Sequence, residues 1–321
     1  MSNVIGLALP FFGLIFLGFL AGRIWREEEK ALAWLNIFVI YFALPSLFFQ
    51  LISRTPVEQL ANWNFIFATT FATYTAFAFA FAYAVLTSDG RIPEATVQGL
   101  VGGYGNVGYM GPPLALVAIG PAAAAPAALV FCFDVTLVFT LAPLMMALSG
   151  ASDQPLSRTL LVIPRRVLLH PFILATIVGV LGAVFHIRPP EPLDRLLTLL
   201  QNAAAPCALF ALGVTVALRP LKRVPAELPV LIAIKLIVHP AIAWLLLTWI
   251  GGLDPTWIYT GVLMASLPPA ATIYVIATQY HTYVLRGSSG ILLGTAASVV
   301  TVSVVLYLIS NGLLPLNPFG K

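Results

Sequence analysis

The sequence predicts an all-α polytopic membrane protein, and three observations carry that prediction. Hydrophobic residues make up 60% of the chain, charged residues 9%, and mean hydropathy is +0.97; soluble domains hold roughly 25% charged residues. Apolar runs of about 20 residues, the length of a spanning helix, recur from end to end. Two of them, 95–118 and 256–280, are broken at their centres by prolines and small residues, GGYGNVGYMGPP (Gly102–Pro113) in one and SLPPAA in the other. Backbone groups freed inside a bilayer must be satisfied by protein, water or ligand, so a plain anchor is not built this way. Interrupted spans in corresponding halves of a chain point to a transport site.

Taken in order, the spans are predicted near 3–22, 31–52, 63–86, 95–118, 124–148, 169–186, 193–218, 227–250, 256–280 and 288–311. The first has no basic leader and no cleavage site, so it reads as a span and not as a signal peptide. Trp25, Trp63, Trp249 and Trp257 fall at span ends, where an interfacial belt belongs. Lysines and arginines sort by side. Arg23, Arg26, Lys30, Arg91, Arg158, Arg165, Arg166, Arg219, Lys222, Arg223 and Arg286 share one face; Arg54, Arg188, Arg195 and Lys321 share the other. The positive-inside rule then puts both termini away from the cytoplasm, in the cell (inner) membrane. The net charge of +4 is an orientation signal and gives no reason to expect nucleic acid.

The halves also resemble each other. LPFFGLIFLGFLAG (Leu9–Gly22) lines up with HPFILATIVGVLGA (His170–Ala183), Gly18 falls on Gly179, and the same interval separates Pro10 from Pro45 and Pro171 from Pro206. Pro112–Pro113 answers Pro268–Pro269. An odd number of spans per copy inverts the second copy, the arrangement of many secondary transporters. The chain therefore divides into a first five-helix repeat (1–150), a cytoplasmic connection (151–166) and a second repeat (167–315).

Residue by residue, the breaks supply the candidate substrate site: Gly105, Asn106, Tyr109, Pro112 and Pro113 in the first, Ser266, Pro268, Pro269, Thr272 and Tyr274 in the second. Proline lacks an N–H and pushes its predecessor out of helical geometry, and half-helix N-termini would face an anion with their dipoles. Gly103-Tyr-Gly105-Asn-Val-Gly108 satisfies the dinucleotide fingerprint, but no strand and no acidic partner accompany it. Asp134, in mid-span, is read as a coupling group or a buried carboxyl bonded to a neighbouring helix. Lys235 reads as a charge partner or as a cation snorkelling to the headgroups. His239, one turn on, reads as a packing residue or a proton carrier. Cys132 and Cys207 read as small apolar residues.

A proline-bearing second span (LNIFVIYFALPSLFF), the broken fourth span (YGNVGYMGPPLAL), the eighth (IKLIVHPAIAW) and the broken ninth together resemble the auxin efflux carrier family, which includes PIN-type auxin exporters and bacterial carriers of malonate or other dicarboxylates. The likeness covers the whole chain, and its most specific element is Asn106, Gly108, Tyr109, Gly111 and Pro113. It implies a fold similar to bile-acid sodium symporters. Spans 1, 2, 6 and 7 would form a scaffold, spans 3–5 and 8–10 a transport domain with crossing helices 4 and 9, in a homodimer with elevator-type movement. Two departures stand out from the plant members: no long hydrophilic loop follows span 5, and the ninth span has Ser266-Leu-Pro-Pro without an asparagine.

No Walker A loop, HExxH, GxSxG or potassium-filter motif is present in a context that would support ATP hydrolysis, catalysis or a channel filter. The expected protein is a secondary transporter of a small organic anion, a dicarboxylate or an auxin-like acid. The alternatives are a sodium- or proton-coupled symporter of a larger amphipathic acid, and a passive channel or sensor on the same scaffold. No cofactor, catalytic residue or metal site is expected; a sodium ion is left open.

Overall fold

The computed structural model describes residues 2–27, 29–87, 90–151, 156–218 and 224–318. Arg219, Lys222, Arg223 and Lys321, used above to orient the chain, lie outside the described residues. Helix α1 (Ser2–Trp25) is followed by α2 (Ala33–Phe38), a π turn (Val39–Ala43) and α3 (Leu44–Ser53). Short α4 (Val57–Leu60) leads into α5 (Trp63–Thr87). Next come α6 (Ile92–Gly103) and α7 (Gly111–Ala118), then α8 (Ala124–Thr136), a π turn (Leu137–Leu141) and α9 (Ala142–Leu148). The connection between the halves carries an amphipathic helix, α10 (Leu156–Leu168). The second half contains α11 (Pro171–Val184), α12 (Glu191–Leu218), α13 (Leu228–Ala233), a π turn (Ile234–Val238) and α14 (His239–Ile250). It ends with α15 (Pro255–Ala265), α16 (Thr272–Gln279) and α17 (Val284–Ser310).

Among the described residues no strand forms, and six helical stretches are long and apolar enough to cross a membrane, with α11 and Leu9–Trp25 as shorter apolar helices. The chain is an all-helical, multi-pass membrane protein. Large apolar side chains such as Leu9, Phe16, Phe67 and Val300 stand exposed on its outside, as a lipid-facing surface requires.

Each of the three π turns has the same cause. Leu44 N–H reaches back to Val39 O, Ala142 N–H to Leu137 O and His239 N–H to Ile234 O, one residue further than an α-helix allows. Each turn ends just before a proline: Pro45, Pro143 and Pro240. A proline ring has no N–H for the preceding turn and crowds its carbonyl, and a π turn relieves both problems at once.

Packing falls into two groups. Helix α1 lies along α12, and α3 along α11 and α12. Gly18 and Gly213 make the first contact possible, because a β-carbon on either would run into the other helix's backbone, at Phe210 and Ile15 respectively. Gly179 does the same for α11 against Ile52 of α3. Small residues at such crossings allow close approach, which drives helix association in lipid. Helices α5, α6, α8, α14, α15 and α17 pack on one another as the second group, touching the first through α1–α17, α3–α8 and α8–α11.

Candidate functional site

Both predicted breaks are present, and they meet. Helix α6 ends at Gly103, and Tyr104 turns extended; α15 ends at Ala265 and the chain stays non-helical until Thr272. Gly105 and Pro269 pair as an antiparallel bridge. Asn106 N–H donates to Pro268 O (2.8 Å) and Ala270 N–H to Tyr104 O (3.2 Å), while Asn106 O accepts from Met110 and Gly111 N–H. The two unwound segments therefore satisfy each other's freed backbone groups, which neither could do alone in hydrocarbon. Glycine at 105 leaves room for the lysine packed behind it. A β-carbon there would lie 3.2 Å from Lys235 Nζ.

A cavity of about 740 Å³ opens beside this crossing, within the range of small-molecule sites. Tyr104, Gly105, Asn106, Gly108 and Tyr109 of the first break line it, with Ala270, Ala271, Thr272 and Tyr274 of the second. Asn36, Tyr41, His170, Phe172 and Thr215 close it from the other helix group. No Asp, Glu, Lys or Arg lines it among the described residues. Asn106 is 2% exposed and its Nδ2 has no partner among them, so one donor pair remains available to a ligand.

Of the residues predicted from sequence, Gly105, Asn106, Tyr109, Thr272 and Tyr274 line the cavity. The other five do not. Pro112 and Pro113 are buried in the first turn of α7, Pro268 and Pro269 are held in the bridge, and Ser266 Oγ is turned back on Leu263 O at 2.7 Å. They shape the crossing without reaching the space beside it.

Lys235 does not snorkel. It is fully buried, with Nζ donating to Ala265 O at 2.6 Å and to His239 Nδ1 at 3.0 Å. Ala265 O is a carbonyl at the C-terminal end of α15, where a cation complements the dipole. His239 Nε2 lies 3.2 Å from Thr73 Oγ1, and Thr73 and Lys235 are the two groups that act on the Asp134 carboxyl. The three predicted charge or coupling residues thus form one connected group behind Gly105, joined by a threonine that sequence reading did not single out. Thr73 lies in FATTFATYTAF among other hydroxyls, and nothing in that pattern marks it.

His170 was missed as well. It caps α11, its Nδ1 accepting from Phe172 N–H at 3.3 Å, and its ring packs edge-on against Phe172 and near Phe139. Its place before Pro171 signals a cap, but only the fold reveals that it lines the cavity.

Two broken helices that meet beside a cavity, inside a multi-pass helical protein, form the kind of arrangement that secondary transporters use. The chain belongs to the family described as "Membrane transport protein", which matches residues 3–306; this is the auxin efflux carrier grouping that its motifs resemble. It is 50% identical over 319 residues to the "Putative malonate transporter" of Rhizobium meliloti (strain 1021), covering 99% of this chain and 100% of the relative. It is also 27% identical over 325 residues to the "Uncharacterized transporter YfdV" of Escherichia coli (strain K12), covering 96% and 98%. The protein is a transporter and not an enzyme.

Proposed function

We propose that the chain is a secondary carrier of a small organic anion, a dicarboxylate such as malonate, bound in the cavity beside the crossing. The observation that carries this reading is the unpartnered Asn106 amide on a charge-free wall, with the Lys235 ammonium directly behind Gly105. Such a wall offers hydrogen bonds and a positive field without an acidic side chain to repel a carboxylate. The name of the 50%-identical relative favours the same substrate class. A second reading, a larger amphipathic acid of the auxin or bile-acid kind, is favoured by the roominess of the cavity and by the aromatic rings of Tyr41, Phe131, Phe139 and Phe172 around it.

In this proposal the chain is two inverted five-span repeats (1–150 and 167–315) joined by 151–166. The α1, α2–α3, α11 and α12 group is the scaffold and the remainder is the transport domain, moving elevator-fashion within a homodimer whose termini face away from the cytoplasm. The equivalent close-packing roles of Gly18 and Gly179 support the repeat, and the segregated packing supports two bodies. Proteoliposomes test the function. Saturable uptake of labelled malonate, accelerated by unlabelled malonate on the far side, is expected of a carrier; a non-saturating conductance would show a channel instead.

A further inference from the structure

A second groove, of about 470 Å³, lies against the first cavity. Val162, Arg165 and Leu169 of α10 form one side of it, and Phe139, His170 and Pro171 the other. The α10 residues recur at three- and four-residue intervals, so a single helix face presents all three. Phe139, His170 and Pro171 also line the cavity. The two spaces therefore meet at the ring pair of His170 and Phe139, whose centroids are 5.2 Å apart. The groove follows the seam between the helix groups. Phe139 belongs to the π turn after α8, His170 and Pro171 to the start of α11, and α10 packs on both. Arg165 is exposed, and among the described residues it is the one Asp, Glu, Lys or Arg on either lining. The ion pairs among those residues use Arg54, Arg91, Arg195 and Arg286, so no carboxylate among them neutralises Arg165.

We propose that this groove is the entry chamber of the carrier, where Arg165 captures a carboxylate of the incoming anion before it passes His170 into the cavity. The proposal rests on the carboxylate reading above. A dicarboxylate gives up strong hydration on entering a cavity whose wall carries no cation. A guanidinium at the mouth offsets the first part of that loss, because its planar fork matches a carboxylate with two hydrogen bonds. The apolar groove walls, Phe139, Val162, Leu169 and Pro171, concentrate its field along the groove. Exposure keeps the hold weak, as a capture site requires if the ligand is to move on. The next donor is in place. His170 Nδ1 accepts from Phe172 N–H, so the neutral ring carries its hydrogen on Nε2 where the two spaces meet. Beyond it stands the Asn106 amide, on the crossing side of the cavity. The arrangement also gives α10 a function: the connection between the halves carries the cation that neither half places on the cavity lining.

The test uses the full chain, with Cys132 and Cys207 replaced, in vesicles of phosphatidylcholine alone. Arg165→Cys is treated from outside with a membrane-impermeant thiol reagent, cationic or anionic and of equal size. Well below half-saturation, the cationic adduct should take up labelled malonate about two-fold or more faster than the anionic one, since a charge at the rim acts on the encounter. At saturating malonate the two rates should converge. Only molecules with α10 outward react, which limits the ratio. Arg158→Cys, two turns earlier on α10 and absent from the groove lining, should show no difference between adducts. Its distance along the helix, about 10 Å, exceeds the screening length of about 8 Å at about 0.15 M salt. In the native chain Arg165→Gln should slow uptake at low malonate and Arg165→Lys should keep most of it. The chamber is overturned if the two Arg165→Cys adducts behave alike, or if Arg158→Cys responds as strongly. It is equally overturned if the dependence on Arg165 appears only when phosphatidylglycerol is added, because the arginine would then hold a lipid headgroup. Absence of saturable malonate uptake by the native chain would overturn the substrate reading instead.

Discussion

The cavity wall and the buried line behind it solve opposite problems within one residue's thickness of each other. The wall is uncharged and mostly apolar, with polar groups supplied by tyrosines, threonines, Asn106 and His170. The line contains both buried charges among the described residues, Asp134 and Lys235. The wall draws on both helix groups, since Asn36, His170 and Thr215 belong to one and Asn106 and Thr272 to the other. The line lies wholly within the second group, on α5, α8, the π turn after α13 and α14. In the proposed cycle a site made from two bodies would change shape as they slide, whereas charges carried by one body would keep their partners. Binding and charge compensation are thereby separated, and each can be broken without the other.

The largest effect is expected from breaking the line. Lys235→Met leaves Asp134 without its cation and Ala265 O without its donor. Removing the cation leaves a buried carboxylate uncompensated and a buried carbonyl unpaired, each costly, so the variant should melt well below the parent in detergent and carry no malonate. Adding Asp134→Asn should restore most of the melting temperature but not accumulation. A single variant with parental melting and uptake would show that the pair holds nothing together.

Next comes movement between the groups. Cys132 Sγ on α8 lies 3.6 Å from Thr176 Oγ1 on α11, so oxidising Thr176→Cys against the native Cys132, with Cys207 replaced, should lock the two groups. Uptake should vanish and return on reduction. The matched control lies within one group: a β-carbon on Gly182 would sit 3.2 Å from Ser53 Cβ, close to disulfide range. Ser53→Cys with Gly182→Cys, in a chain lacking both native cysteines, should transport when oxidised. Unimpaired uptake in the first lock would mean that the cavity opens without the groups sliding.

Asn106→Ala tests the wall. The backbone hydrogen bonds of Asn106 remain, so stability should hold, while a lost hydrogen bond to a charged ligand, about 1.5–3 kcal/mol, weakens affinity about ten-fold or more. Calorimetric titration of malonate into the purified variant measures it, and unchanged affinity would move the site elsewhere.

The sequence shows where chemistry is interrupted better than it shows where side chains point. Every predicted span coincides with a helix or a broken pair, because lipid demands long apolar runs and prolines mark where they fail. Both breaks were legible for that reason. Their mutual bridge was not, since Gly105 and Pro269 are brought together only by folding. Asp134 and Lys235 stood out as charges in apolar runs, but the π turn bearing Lys235, which depends on Pro240, lies beyond any 3.6-residue pattern. Thr73 and His170 were illegible for another reason: a threonine in a span and a histidine at its end are ordinary residues until the neighbouring helices are in place. The connection 151–166 was read by its polarity, and α10 hid there because an amphipathic surface helix has no apolar run of spanning length.

The smallest expected effect separates two roles of one residue. His170 caps α11 through Nδ1, and that acceptor role fixes the ring hydrogen on Nε2, a neutral donor on the cavity wall. Asparagine is a strong N-cap whose side-chain oxygen takes the same backbone N–H, but it is too short to present a donor where the imidazole edge lies. His170→Asn should therefore keep the melting temperature and weaken malonate binding by about two- to ten-fold, the worth of one neutral hydrogen bond. His170→Ala should add a loss of about 1 kcal/mol in stability, because the cap goes too. The pair of variants sharpens the comparison. If asparagine restored affinity as well as stability, His170 would belong to the architecture of α11 alone, and the wall's contribution to binding would come from the crossing side.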